Sequence, residues 1–141
     1  MFLGEYSHTI DDKGRLTIPS RFRGELAAGL VVTRGFDQNL VIYPLDEWDK
    51  LAADIMSRPV SETSVRDFRR RVFSGAIDLE PDRQGRILLP PYLREFAQIQ
   101  NEVTLVGMYN YIEVWQSQSW LSVRSGIEAS DDADRWSKLG L

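Results

Sequence analysis

The apolar positions fall into short alternating runs separated by glycine- and proline-containing turns, and this rhythm sets the expected elements. Residues 2–10 and 15–18 read as two strands joined by a tight turn over Asp11-Asp12-Lys13-Gly14. Glycine takes positive φ freely there, and an aspartate bonds its own backbone two residues on. Pro19 ends the second strand, and Ser20 stands where it would cap a short helix through Arg21, Phe22, Arg23 and Leu26. Residues 30–33 and 40–43 read as a second strand pair around Gly35-Phe36-Asp37-Gln38-Asn39. A further helix is predicted from Leu45 or Asp46, with Trp48, Leu51, Ala52 and Ile55 forming an apolar stripe at i, i+3, i+4 and i+7. Ser61-Glu62-Thr63-Ser64 looks like another helix start. Val65, Phe68 and Val72 then share one face, with Arg66, Arg69, Arg70 and Arg71 mostly on the other.

The pattern occurs twice. Asp11-Asp12-Lys13-Gly14-Arg15-Leu16-Thr17-Ile18-Pro19 returns as Asp82-Arg83-Gln84-Gly85-Arg86-Ile87-Leu88-Leu89-Pro90, a shift of 71 residues that also pairs Phe2 with Phe73, Gly4 with Gly75 and Arg23 with Arg94. After a slip of one residue the match continues through Gly35 and Gly107, Leu40 and Ile112, Ile42 and Val114, Tyr43 and Trp115, and Trp48 and Trp120. Trp120, Leu121 and Val123 after Ser117 close the second copy as a helix, like the first. A unit of about 45 to 55 residues is too small to bury enough apolar surface alone, so the two copies are expected to share one core as an intramolecular pseudo-dimer. The expected class is α+β and β-rich. Its parts are a first repeat with its C-terminal helix over 2–59, a connecting helix over 60–73 and a second repeat over 74–125. An acidic tail over 126–141 is expected to fray or stay disordered.

Composition narrows the chemistry. With 141 residues, 43% apolar and 27% charged, the chain can build a core and is not of a disordered type. It has no cysteine, which excludes disulfides, thiolate catalysis, iron–sulfur clusters and cysteine zinc sites, and is compatible with a reducing cytosol. The N-terminus has no basic segment followed by an apolar one, and no apolar run reaches about 18 residues, so neither export nor a membrane span is expected. The net charge of −4 argues at first against a polyanionic partner. Resolved along the chain, residues 1–34 carry +1, 35–57 carry −4, 58–94 carry +3 and 95–141 carry −4. The motif-bearing parts are therefore neutral to basic.

Arg15 and Arg86 each follow the turn glycine, Lys13 and Arg83 lie in the same turns, and Arg21, Arg23 and Arg94 follow on the short helices. A two-stranded ribbon fits the DNA major groove, and arginine suits both bidentate phosphate pairing and guanine readout. Asp11 and Asp82 are poor neighbours for phosphate. They are expected to hold the turn or aim the arginine, the alternative being an exposed hairpin salt bridge of little worth. An enzyme would have to use carboxylates, such as Asp11 with Asp12, or Asp78, Glu80 and Asp82, as acid/base pairs or a Mg²⁺ site. These stand in polar turns beside arginine, where turn chemistry is the better account. His8 has no partners for a metal site, and no phosphate-binding G-x-x-x-x-G-K-[ST] loop is present. No catalytic residue, cofactor or metal is expected. The Arg66–Arg71 run reads as a solvated face or as pairing with a neighbouring subunit before it reads as a DNA contact.

Gly4-Glu5-Tyr6-x-His8, Asp11-x-Lys13-Gly14-Arg15-x-x-Ile18-Pro19 with Arg23, and Asp82-x-x-Gly85-Arg86-x-x-Leu89-Pro90 with Arg94 resemble the MraZ family of bacterial transcriptional regulators across residues 1–135. The resemblance implies two repeats similar to the AbrB and MazE DNA-binding domain, interleaved as a swapped-hairpin β-barrel with flanking helices. It implies sequence-specific binding of double-stranded DNA at short repeated boxes upstream of the chain's own division and cell-wall operon, usually with repression. It further implies assembly into a ring-like homo-oligomer and a cytoplasmic, nucleoid-associated protein with no membrane partner. Carried onto this chain, the DNA-contact residues are Arg15, ranked first, with Lys13, Gly14, Arg86 and Gly85. Asp11 and Asp82 orient the turns, and Arg21, Arg23, Arg83 and Arg94 are secondary basic candidates. The copies differ at Lys13 against Gln84 and at Asp12 against Arg83, so the two turns need not contact DNA equally. The rival class is a protein-binding module, either antitoxin-like or a structural scaffold. Antitoxins of this type usually carry one barrel half per chain and a long acidic arm, whereas this chain carries two halves and a short tail.

Overall fold

Each repeat begins with a strand that leaves its own turn partner for the other repeat. The computed structural model describes residues 1–129 and 133–141. Strand β1 (Glu5–Thr9) and strand β2 (Arg15–Thr17) are joined by the tight turn expected from the sequence. Their expected pairing is realised only at that turn. The Asp11 N–H donates to the Arg15 carbonyl at 3.1 Å, and an isolated bridge links Ile10 to Leu16. Beyond it, β1 pairs antiparallel with β7 (Glu102–Gly107), and β2 pairs antiparallel with β6 (Arg86–Leu88). Both partners come from the second repeat. The exchange has a packing reason: Leu16 and Ile87 face each other across the β2–β6 pair and are 0% and 2% exposed, so one shared core buries apolar positions that neither repeat could enclose alone.

The remaining strands complete this interleaving. β3 (Leu30–Arg34) pairs with β4 (Leu40–Pro44), as the sequence predicts, and with β5 (Ile77–Leu79) from the second repeat. β8 (Ile112–Gln116) pairs with both β7 and β4. The result is a six-stranded antiparallel sheet in the order β1-β7-β8-β4-β3-β5, with β2-β6 as a separate two-stranded ribbon. Among the described residues these ladders do not close into one barrel. The order is pseudo-symmetric about the β4–β8 and β2–β6 pairs, which are the two places where equivalent strands of the copies meet.

The helices α1 (Ser20–Leu26) and α4 (Pro91–Phe96) each follow a ribbon strand and bury Phe22 with Leu26, and Leu93. Phe22 lies edge-on to Phe2 and Tyr6, with centroids 5.2 and 5.1 Å away, a geometry that suits the ring quadrupoles. Ser20 does not cap α1, contrary to the sequence expectation. It is already the first helical residue, the cap position belongs to Pro19, and the Pro19 carbonyl accepts from the Phe22 N–H at 2.9 Å.

Helix α2 (Leu45–Met56) carries Asp46 and Glu47 in its first turn, where the helix dipole favours them. Its apolar stripe holds Trp48 against Tyr43 and Phe73 and buries Ile55. Helix α3 (Thr63–Phe68) continues into a π-helical turn over Arg69–Phe73, and Val65 and Val72 point inward as the spacing predicts. The arginine run is engaged within its own chain. Arg66 donates to the Val60 carbonyl at 2.9 Å, Arg70 pairs with Asp67 at 3.0 Å, and the Arg71 Nε donates to the Gly35 carbonyl at 2.9 Å while its guanidinium lies over Phe96. Helices α5 (Ser117–Glu128) and α6 (Ala133–Ser137) end the chain, and residues 130–132 of the expected tail lie outside the described residues. No helix among the described residues is long and apolar enough to cross a membrane.

Candidate nucleic-acid interface

Both turns are built by the same local chemistry. In the first, the Gly14 N–H donates to the Asp11 carbonyl at 3.0 Å, and Gly14 takes φ +86°, a left-handed conformation that costs glycine nothing. The Asp11 carboxylate accepts from the Lys13 N–H at 3.0 Å and the Arg15 N–H at 2.8 Å through Oδ1, and from the Arg15 Nε at 2.6 Å through Oδ2. The second turn repeats this set. Gly85 has φ +75°, and Asp82 accepts from the Gln84 N–H and Arg86 N–H, both at 2.9 Å, and from the Arg86 Nε at 2.8 Å. Because the bonds to the Arg15 and Arg86 backbone N–H groups favour the ionised form, both carboxyls lie below the usual carboxylate range. Each aspartate thus bonds both the turn backbone and the arginine side chain, a geometry compatible with either role that the sequence left open. Their oxygens are occupied as acceptors, which suits them poorly to act as general bases.

A second layer reaches across the repeats. The Gly14 carbonyl accepts from the Leu89 N–H at 2.9 Å, the Leu89 carbonyl accepts from the Arg94 Nε at 3.0 Å, and the Arg94 guanidinium lies over Gly14. The mirror set joins the Gly85 carbonyl to the Ile18 N–H at 2.8 Å, the Ile18 carbonyl to the Arg23 Nε at 2.9 Å, and Arg23 to Gly85. Each short helix thus clamps the other repeat's turn. A signal for this was present in the chain, since Arg23 and Arg94 both follow their turn glycine by nine residues.

On the ribbon, strand alternation sends Leu16 and Ile87 inward and Arg15, Thr17, Arg86 and Leu88 outward. Arg15 stands opposite Leu88, and Thr17 opposite Arg86, so the two arginines occupy diagonal corners. Their α-carbons are separated by about 7 Å along the strands and about 5 Å across them. Each guanidinium is held through Nε, which leaves its paired Nη groups facing away from the carboxylate, able to meet a second acceptor in bidentate fashion. Lys13, Arg21 and Arg83 are exposed beside this face. Residues 11–23 and 82–94 together hold seven cations against three carboxylates, an excess of four positive charges within a chain of net −4.

The alternative chemistries find less support. His8 is half-buried on the inner face of β1. Burial, and then the charge of Arg23, push its pKa below the usual histidine value. Asp78, Glu80 and Asp82 do not converge, and no cluster of three or more His, Asp or Glu able to hold a metal is found among the described residues.

Comparison with known proteins agrees with this duplicated architecture. The family model described as "MraZ protein, putative antitoxin-like" matches twice, over residues 1–71 and 72–137, with starts 71 residues apart, the shift of the internal repeat. A protein of Herpetosiphon aurantiacus named "Transcriptional regulator MraZ" is 50% identical over 143 aligned residues that cover the whole of both chains. Proteins of the same name from Roseiflexus castenholzii and Thermomicrobium roseum are 48% and 49% identical, covering 92% and 85% of this chain and 91% and 84% of their own. With its two motif-bearing turns, its interleaved repeats and this likeness along its full length, the chain belongs to the MraZ family.

Proposed function

We propose that this chain is a transcriptional regulator that binds double-stranded DNA sequence-specifically through the β2–β6 ribbon and its two turns. The observation that carries the reading is the diagonal pair Arg15 and Arg86, each aimed outward by an aspartate bound at Nε with its Nη edge left for bidentate contact. A ribbon of this width enters a major groove about 12 Å wide, where a guanidinium meets guanine O6 and N7 or a backbone phosphate. The names of the relatives support the regulatory role. Lys13 and Arg83 would contact the backbone, with Arg21 flanking them. Gly14 and Gly85, buried beneath Arg94 and Arg23, set the shape of the two turns, and Arg23 and Arg94 act as positioning residues.

In this reading the target is a set of short repeated boxes upstream of the chain's own division and cell-wall operon, and occupancy represses it. The protein works as a ring-like homo-oligomer in the cytoplasm at the nucleoid. Exposed apolar side chains at Met1, Leu3 and Tyr109, brought together by the Phe2–Tyr109 bridge, support self-association. The cross-repeat strand pairing supports the swapped-hairpin arrangement of AbrB-like domains. The chain acts by binding and not by catalysis, and the division into repeats over 2–59 and 74–125 with a linker over 60–73 follows from the same reading.

The direct experiment is a gel shift of the purified protein on the DNA upstream of its own gene, with the repeated boxes intact or scrambled. Tight binding to the intact boxes alone is expected. Equal affinity for both duplexes would remove the sequence-specific reading and favour a role in capturing a partner protein.

A further inference from the structure

Within the ribbon, the pseudo-symmetry fails at one outward-facing pair. The shift of 71 residues that equates Arg15 with Arg86 equates Thr17 with Leu88, so the two guanidinium corners are alike and the other two corners are not. Leu88 is 55% exposed, whereas its neighbours Ile87 and Leu89 are 2% and 0% exposed. A single exposed leucine is ordinary on a protein surface. This one is directly opposite Arg15, at one of the four corners of the face that the proposed function turns toward DNA. Facing residues in an antiparallel pair hold their β-carbons about 5 Å apart, so Leu88 would reach the base step beside the one met by Arg15.

Resting on that DNA-binding reading, we propose that Leu88 is a specificity-determining residue that packs on the 5-methyl group of a thymine in the major groove, adjacent to the base pair contacted by Arg15. A leucine side chain offers no hydrogen bond, and the thymine methyl is the one apolar feature that the major-groove edges present. Thr17, its counterpart, carries a hydroxyl that donates to or accepts from whichever base edge it meets, and so discriminates less. The protein accordingly reads its box in one orientation: two like arginine corners set the affinity, and the Leu88 corner sets the direction.

The test starts by selecting the tightest duplex for the full-length protein from a randomised pool, then replacing each thymine in turn with deoxyuridine, which removes only the methyl group. Wild-type protein is expected to lose about fourfold in affinity at one thymine, beside the base pair whose identity no longer matters to Arg15→Ala. Leu88→Ala and Leu88→Thr should keep the wild-type melting temperature and lose this sensitivity, while Thr17→Val should retain it. A flat deoxyuridine scan for the wild type overturns the proposal, as does a loss that persists undiminished in Leu88→Ala. If no duplex is enriched from the pool, or if Arg15→Ala binds as well as the wild type, the DNA-binding reading itself fails, an outcome distinct from the other two.

Discussion

The guanidinium of Arg94 covers Gly14 so closely that a β-carbon on Gly14 would stand 2.9 Å from Arg94 Cζ, and Arg23 covers Gly85 more tightly still, 2.4 Å from Nε. Each turn is thus shaped by an arginine from the other copy. Gly14→Ala is expected to cost about 1–2 kcal/mol for the left-handed backbone, and about 1 kcal/mol more as Arg94 is pushed off the Leu89 carbonyl. Combining it with Arg94→Ala should cost less than the sum of the single changes, because the clash disappears with the guanidinium. Denaturant midpoints of the four proteins check this, and strict additivity would mean that the two residues do not press on each other.

Arg15→Ala and Arg86→Ala should separate binding from folding. Each removes one guanidinium corner of the ribbon, and in the proposed DNA-binding role loss of such a contact is expected to weaken specific binding by about 1–3 kcal/mol. Arg15→Ala is expected to have the larger effect, since its turn also carries Lys13 where the second turn has Gln84. Both variants should fold and assemble normally, because the Asp11 and Asp82 pairs they disrupt are about one-third exposed and contribute little to stability. Titration of box-containing duplexes, alongside circular dichroism and size-exclusion chromatography, measures both sides.

Phosphate contact should also appear as salt dependence. The logarithm of the binding constant is expected to fall steeply with the logarithm of salt concentration, and Lys13→Gln should reduce the magnitude of that slope by about 1 in a single-box complex. A slope near zero for the wild type would point to a partner other than a polyanion.

His8 sets an acid limit on stability. Burial, followed by the Arg23 charge, lowers its pKa in the folded protein, so the unfolded chain binds the proton more readily. This contribution to stability is complete above the unfolded value near about 6.5 and declines as pH falls toward the lowered folded value. Below that value it is spent, and further acid acts on other groups. Asp11 and Asp82 operate in a lower window: their stabilisation is present above the ordinary carboxylate range and is lost as pH falls through their depressed values. His8→Gln should flatten the stability profile just below pH 6.5 without altering the lower window, as measured by urea unfolding across the pH series.

Some of this molecule is legible from residues alone. The duplication, the two turns, the β3–β4 pair and the helices over Ser20–Leu26 and Leu45–Met56 are set by interactions within a few residues. The Asp11 carboxylate reaches only as far as Arg15, and Gly14 needs its left-handed φ whatever the rest of the chain does. The candidate arginines could therefore be named from the motif. Ser20 does not act as a cap because the helix starts one residue earlier, at Ser20 itself with Pro19 in the cap position, and residue preference does not resolve a boundary that fine.

Strand exchange is different in kind. In a tandem duplication, β2 presents the same alternation to its own β1 and to the other copy's β6, so the hydrophobic pattern does not say which it will join. Only burial of Leu16 against Ile87 in a common core decides between them. That decision places Arg15 and Arg86 on one ribbon, sets Leu88 opposite Arg15, and sends Arg23 and Arg94 over the opposite glycines. The repeated unit and the chemistry of each turn depend only on local hydrogen bonds and backbone freedom, and so are written in the chain. How two such units share a face depends on packing between them, because one copy is too small to enclose a core and the core forms only when both contribute.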